Sequence, residues 1–108
     1  MLLFMSDTPA EEQMKVTPEE MKKGMEPWFT WFEKAGSALV DKGMPIGNAW
    51  TMTKEGAGGR TSHVAGFSIV QADSSDAVKE LIKDHPHLMF PGASIEVLEY
   101  LPMPGMPV

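Results

Sequence analysis

Glu96 stands between Ile95 and Val97 in the segment Ser94-Ile-Glu-Val-Leu-Glu-Tyr100. If this segment is a strand, the Glu96 carboxylate projects away from its two apolar neighbours. With Ile95 and Val97 turned toward helices, Glu96 faces a cavity on the other side of the sheet. A carboxylate desolvated there is raised in pKa and suited to give or take a proton. The alternative is an ordinary carboxylate paired with a lysine or with a serine hydroxyl such as Ser68. His85-Pro86-His87 offers a second proton-handling group, since imidazole titrates near neutral pH. The same three residues also read as a helix stop whose rings cap the last carbonyls, where the helix dipole favours a cation. A metal set of His85, His87 and Asp84 is incomplete, and the intervening proline restricts how the two rings converge, so no metal is expected. Asp41, in an Asp-Lys-Gly turn, could orient a histidine or a substrate hydroxyl, or simply be a solvated loop residue.

Trp28, Trp31 and Trp50 could hold a small ring-shaped ligand, or serve as core and interface anchors. Ser68 lacks the Gly-x-Ser-x-Gly elbow of a serine hydrolase and is retained as a ligand contact. Gly56-Ala-Gly-Gly59 has no following helix or Lys-Ser/Thr, so it reads as a hairpin turn and not as a phosphate loop. His63, after Arg60, reads as a surface residue. The absence of cysteine removes disulfides, zinc thiolates, iron–sulfur clusters and a cysteine nucleophile. Nine Lys plus Arg against fifteen Asp plus Glu give a formal charge of -6, and Arg60 is the only arginine. That balance argues against nucleic acid as a partner. The chain has no apolar run near the roughly 18 residues needed to cross a bilayer. Met1-Leu-Leu-Phe-Met5 is too short for a signal peptide and lacks preceding basic residues, so no membrane association and a cytoplasmic location are expected.

The elements that must position these side chains follow from patterning. Leu2 to Met5 reads as a buried strand and the polar Ser6 to Val16 as a loop. Thr17-Pro18-Glu19-Glu20 is a helix start with a capping box and proline at the first position. Met21, Met25, Trp28, Phe32, Ala35 and Leu39 then recur at steps of four and three, lining one helix face. The stripe continues through Gly24 and Pro27, which predicts one kinked helix, ending at Gly36 or, as favoured here, nearer Gly43. Trp31 falls off the stripe and is expected to need a second apolar surface on a partner subunit. Ile46 to Thr53 and Ser62 to Ala72 read as a hairpin about the Lys54–Gly59 turn. Asp73-Ser74-Ser75-Asp76 caps a second helix with Ala77, Val78, Leu81 and Ile82 on its buried face, stopped by Pro86. His87 to Ala93 is irregular, and Ser94 to Tyr100 is the last strand. Prolines keep the tail after Leu101 extended.

The order strand, helix, strand, strand, helix, strand is that of an α+β, ferredoxin-like βαββαβ domain with an antiparallel sheet over residues 1–101, followed by a Pro/Met-rich tail at 102–108. Two helices cover one sheet face. Phe67 and Ile69 oppose Val70, and Ile95 and Val97 oppose Leu98 and Tyr100, so both faces are apolar. A homodimer packing sheet against sheet would cover the second face.

Gly66-Phe-Ser-Ile-Val-Gln-Ala-Asp-Ser-Ser-Asp-Ala-Val, Asp84-His-Pro-His-Leu, Pro91-Gly, Ser94-Ile-Glu-Val and Pro102-Met-Pro104 resemble the YCII-related (YciI-like) family, as do Trp28-Phe-Thr-Trp31 and Gly43-Met-Pro-Ile-Gly47. The resemblance spans nearly the whole chain. It implies a dimeric α/β barrel, two ferredoxin-like sheets across a shared cavity, and, through relatives like muconolactone isomerases, acid–base or lyase chemistry without a cofactor on a small organic acid or lactone. Some members pair a histidine from the first helix region with a nearby aspartate. Asp41 matches that aspartate, whereas 18–43 holds no histidine. The Asp-Gly-Pro-Phe motif of other members has no counterpart between Lys54 and Gly66. If the protein is catalytic, the residues themselves point to Glu96 with His85 or His87 for proton transfer, Asp41 for orientation, and Trp28, Trp31, Trp50 and Ser68 around the ligand. A non-enzymatic binding or assembly module with a closed, packed barrel is the alternative.

Overall fold

The computed structural model describes residues 1–105. The end of the expected tail, 106–108, lies outside the described residues. The elements are β1 (Leu2–Met5), α1 (Ala10–Gln13), α2 (Pro18–Ala35), β2 (Leu39–Asp41), β3 (Thr51–Thr53), β4 (Gly56–Gly58), β5 (Val64–Val70), α3 (Ser75–Ile82) and β6 (Ser94–Val97). Short 3₁₀ turns occupy Gly36–Ala38 and Pro86–Met89. The main sheet has the order β2-β5-β1-β6, every neighbouring pair antiparallel. The protein is α+β with antiparallel sheets, compatible with the ferredoxin-like arrangement.

The helix starts form as their sequences dictate. The Thr17 hydroxyl accepts from the Glu20 amide at 3.2 Å, and the Ser74 hydroxyl from the Ala77 amide at 3.1 Å, satisfying amides that have no partner within the helix. A single helix runs through Gly24 and Pro27. Its end differs from the favoured one. Gly36 adopts φ +53 and its amide closes on Phe32 O, so the helix stops at Ala35 and not near Gly43. Positive φ is cheap for glycine and costly for residues with a Cβ.

That early stop releases Leu39–Asp41 to become the edge strand of the main sheet. The segment expected to fill this place, Ile46 to Thr53, is divided. Pro45 bridges Gly66 and the Ile46 amide donates to Ala65 O at 3.1 Å, but Thr51–Thr53 pairs with Gly56–Gly58 in a separate two-stranded ribbon. Pro45 lacks an amide and interrupts the ladder, which explains the division. The expected loop at Ser6 to Val16 carries the short α1, and the last strand ends at Val97 and not at Tyr100.

Leu2, Phe4, Trp31 and Ala35 are buried together, and Trp28, Phe32, Leu39, Val70, Val78, Leu81, Ile82 and Ile95 pack around them. These side chains join α2 and α3 to one sheet face. Register defines the other face: Leu3 lies opposite Phe67 on β5 and Glu96 on β6. None of these three belongs to the core. Trp31 departs from the expectation that it awaits a partner subunit. It is 3% exposed within its own chain, and its indole N–H donates to Leu81 O at 3.1 Å. That carbonyl lies in the last turn of α3, where it has no partner within the helix.

Gly43 fixes the approach of the chain after β2 to β5. At φ +72, a Cβ there would lie 1.7 Å from Phe67 O, so only glycine fits. This contact orders Lys42, whose carbonyl accepts from the Ser68 hydroxyl at 2.7 Å and whose ammonium sits 5.5 Å above the Phe32 ring.

Candidate functional site

Two groups of candidate residues form, on opposite faces of the sheet. The first is a closed aromatic cluster around His85, which Pro86 makes possible. The residue before proline is pushed out of helical geometry, and His85 accordingly adopts φ -60, ψ 137 at the end of α3. Its ring is carried back under α2, to 4.4 Å from the Trp31 ring, 4.7 Å from Trp28 and 4.9 Å from Phe4, centroid to centroid. His85 is 0% exposed. Its Nδ1 accepts from the His87 amide at 3.0 Å, which places the ring proton on Nε2. That Nε2–H is buried with no hydrogen-bond partner among the described residues. Burial chiefly, reinforced by His87 and opposed by Asp84, lowers the His85 pKa from 6.5 to about 4. The ring is neutral at pH 7.

His87, 6% exposed, lies 5.3 Å from the Phe4 ring. Its Nε2–H donates to Met5 O at 2.8 Å. The β1–β5 register shifts between Phe4 and Met5, and this irregularity leaves the Met5 carbonyl to the histidine. Both imidazoles therefore hold backbone in place. A bond between Lys34 Nζ and Asp84 Oδ2 at 2.7 Å ties the C-terminal ends of α2 and α3 beside the cluster, and the Lys34 ammonium holds the Asp84 carboxyl below its usual range.

Glu96 lies elsewhere. Ile95 pairs with Phe4 and faces the helices, so Glu96, opposite Leu3, points from the other face. Glu96 is exposed. Asp41 is in register with Ile69, whose neighbour Val70 faces the helices, so Asp41 shares the Glu96 face. Its carboxylate accepts from the Gly43 amide at 2.8 Å, making it the cap of its own turn. Asp41 and Glu96 sit on the two edge strands, three interstrand spacings apart, or about 14 Å.

The expectation that Glu96 shares a cavity with His85 or His87 is thus corrected: the sheet lies between them, and His85 is sealed under three aromatic rings. Ser68 is 0% exposed with its hydroxyl committed to Lys42 O, and Trp31 is closed into the core, so neither lines an accessible ligand site. Trp28 belongs to the histidine cluster, whereas Trp50 is 65% exposed at the foot of the ribbon. His63, read as a surface residue, is exposed and 3.8 Å from Asp7. An open cleft of ≈ 680 Å³ at the start of α3 is lined by Ile69, Val78, Ile82, Leu98 and Tyr100 among others, none of them a predicted site residue. No group of three or more His, Asp or Glu side chains among the described residues could hold a metal ion. No described helix is long and apolar enough to cross a membrane.

Sequence reasoning missed the aromatic enclosure of His85. The signal was present in the three-residue spacing of Trp28 and Trp31, which puts both on adjoining faces of α2, but nothing local ties them to a histidine some fifty residues on. Comparison with protein families, with curated proteins and with solved structures yields no match.

Proposed function

We propose that this chain is a YCII-related homodimer that binds a small organic acid or lactone between two sheets packed face to face as a dimeric α/β barrel, with Glu96 as the polar group that orients the ligand. The observation that carries this reading is the helix-free sheet face, where Leu3 and Phe67 lie in one row with Glu96. A second copy placed on that face removes apolar surface from water and converts an exposed carboxylate into one held in a confined, partly apolar space. Such a site suits a polar small molecule fixed by few directed contacts. Any proton transfer there falls to Glu96, without a cofactor, since Asp41 on the same face is tied to its own turn and His85 and His87 belong to the other side of the sheet. A cytoplasmic location fits a chain without cysteine.

The separation of Glu96 from the histidines favours binding over acid–base catalysis by a pair of side chains. It also lends weight to the second reading, a non-enzymatic assembly module in which the two faces close completely. Thermal-shift screening against small carboxylic acids and lactones separates the two. The binding reading expects at least one compound to stabilise the native protein and to lose that effect with Glu96→Gln. Stabilisation by no compound, with a stable dimer, supports the closed module. A chain that sediments near 12 kDa at every micromolar concentration refutes both.

A further inference from the structure

Among the described residues, the ribbon formed by β3 and β4 pairs only with itself. At its root the Asn48 amide donates to Glu11 Oε1 at 3.1 Å, and the Thr51 and Thr61 hydroxyls bond at 3.1 Å. Thr51 and Thr53 lie on one side with Gly58 and Gly56, their register partners. Met52 and its partner Ala57 lie on the other side, and Trp50, two residues before Met52, shares it. Trp50 is 65% and Met52 63% exposed. The ribbon thus has one apolar side, and that side is bare. An isolated two-stranded hairpin is marginal in water, and the two glycines of β4 weaken this one further.

What covers the arm follows from area and charge. The main-sheet strands β1, β2, β5 and β6 contribute four, three, seven and four residues. At strand spacing and rise they span about 290 Å² of sheet plane. Even doubled for side-chain relief, that is less than the roughly 800 Å² each partner buries in a stable complex. Sheet-to-sheet packing alone therefore leaves the homodimer short of contact. It also brings together two chains that each carry a charge of -6. The arm supplies what is missing on both counts: apolar Trp50 and Met52, and two cations, Lys54 at its tip and Arg60 at its base.

We infer that the 50–58 ribbon is a dimerisation arm: it reaches to a second copy of this chain, where Trp50 and Met52 pack at the rim of the sheet-to-sheet contact and Lys54 approaches the partner's Glu96 on its edge strand. The inference rests on the face-to-face homodimer and adds the residues that complete it. Sedimentation of the full chain over a concentration series tests it with Trp50→Ser/Met52→Ser, Lys54→Glu and Phe67→Glu. The arm substitutions are expected to raise the dimer dissociation constant at least tenfold and Lys54→Glu severalfold, with far-ultraviolet circular dichroism unchanged. Should the double variant fail to fold, Lys54→Glu carries the same reading alone. A native dimer that the arm variants leave unchanged, but that Phe67→Glu dissociates, overturns the arm and leaves the homodimer standing. A dimer insensitive to Phe67→Glu, or a native chain monomeric throughout, overturns the face-to-face reading and the arm with it.

Discussion

Acidification should destabilise this protein through His85. Its imidazole is fully buried, its Nδ1 accepts from the His87 amide, and its Nε2–H has no hydrogen-bond partner among the described residues. The folded pKa of about 4 lies below the ordinary 6.5, so between these values the unfolded chain binds a proton that the folded chain does not. Stability therefore rises with pH across this window and falls as pH drops from 6.5 to 4. The gap of some 2.5 pH units corresponds to about 3 kcal/mol in full, of which roughly three quarters is lost by pH 4.5. Asp84 and Glu11, whose pKa values are lowered on folding from 3.8 and 4.5, keep their stabilisation through most of this window and begin to lose it only at its acid end, as pH falls through those ordinary values. Urea titrations followed by circular dichroism, at fixed protein concentration from pH 7.5 to 4.5, should show the midpoint falling by about 1 to 2 M. In His85→Phe the slope over this range should largely vanish, because a phenyl ring fits the aromatic enclosure and cannot charge. A native midpoint that stays flat down to pH 4.5, or a His85→Phe chain with the native slope, would refute the assignment.

Two further substitutions probe the packing. Gly43→Ala drives a methyl group into Phe67 O at a positive φ, and should cost about 3 kcal/mol or more; a midpoint within experimental error of native would show that the β2–β5 approach is looser than described. Trp31→Phe keeps most of the apolar bulk but leaves Leu81 O without its indole donor, at a cost of about 1 to 2 kcal/mol. A larger cost would mean that ring size and not the hydrogen bond dominates at this position.

Local chemistry made much of the fold legible. Thr17, Pro18 and Ser74 state their helix starts in the sequence, and Pro86 its helix end. The alternation at Ile95, Glu96 and Val97 correctly set the Glu96 face. Leu39 shows where such reasoning stops. It continues the helical stripe numerically, and its side chain does reach the same core, but from a strand, because the backbone at Gly36 turned first. Pro45 likewise split a run that β-propensity joins. The site was less legible than the fold. Whether a histidine faces a cavity or a core depends on which side of the sheet the 3₁₀ turn after α3 docks, and on Trp28, Trp31 and Phe4, all remote in sequence. Trp31, off the main stripe, suggested an outside partner because the surface that α3 provides has no trace within α2 itself.

The three tryptophans are unequal in their access to solvent: Trp31 is closed into the core while Trp50 stands at the foot of the ribbon. Indole emission consequently divides into two populations without any label. A soluble quencher such as acrylamide reaches Trp50 first, while Trp28 and Trp31, each in contact with an imidazole, respond to the charge state of the interior. Loosening of the core and engagement of the ribbon can thus be followed separately, in one cuvette, on the unmodified chain.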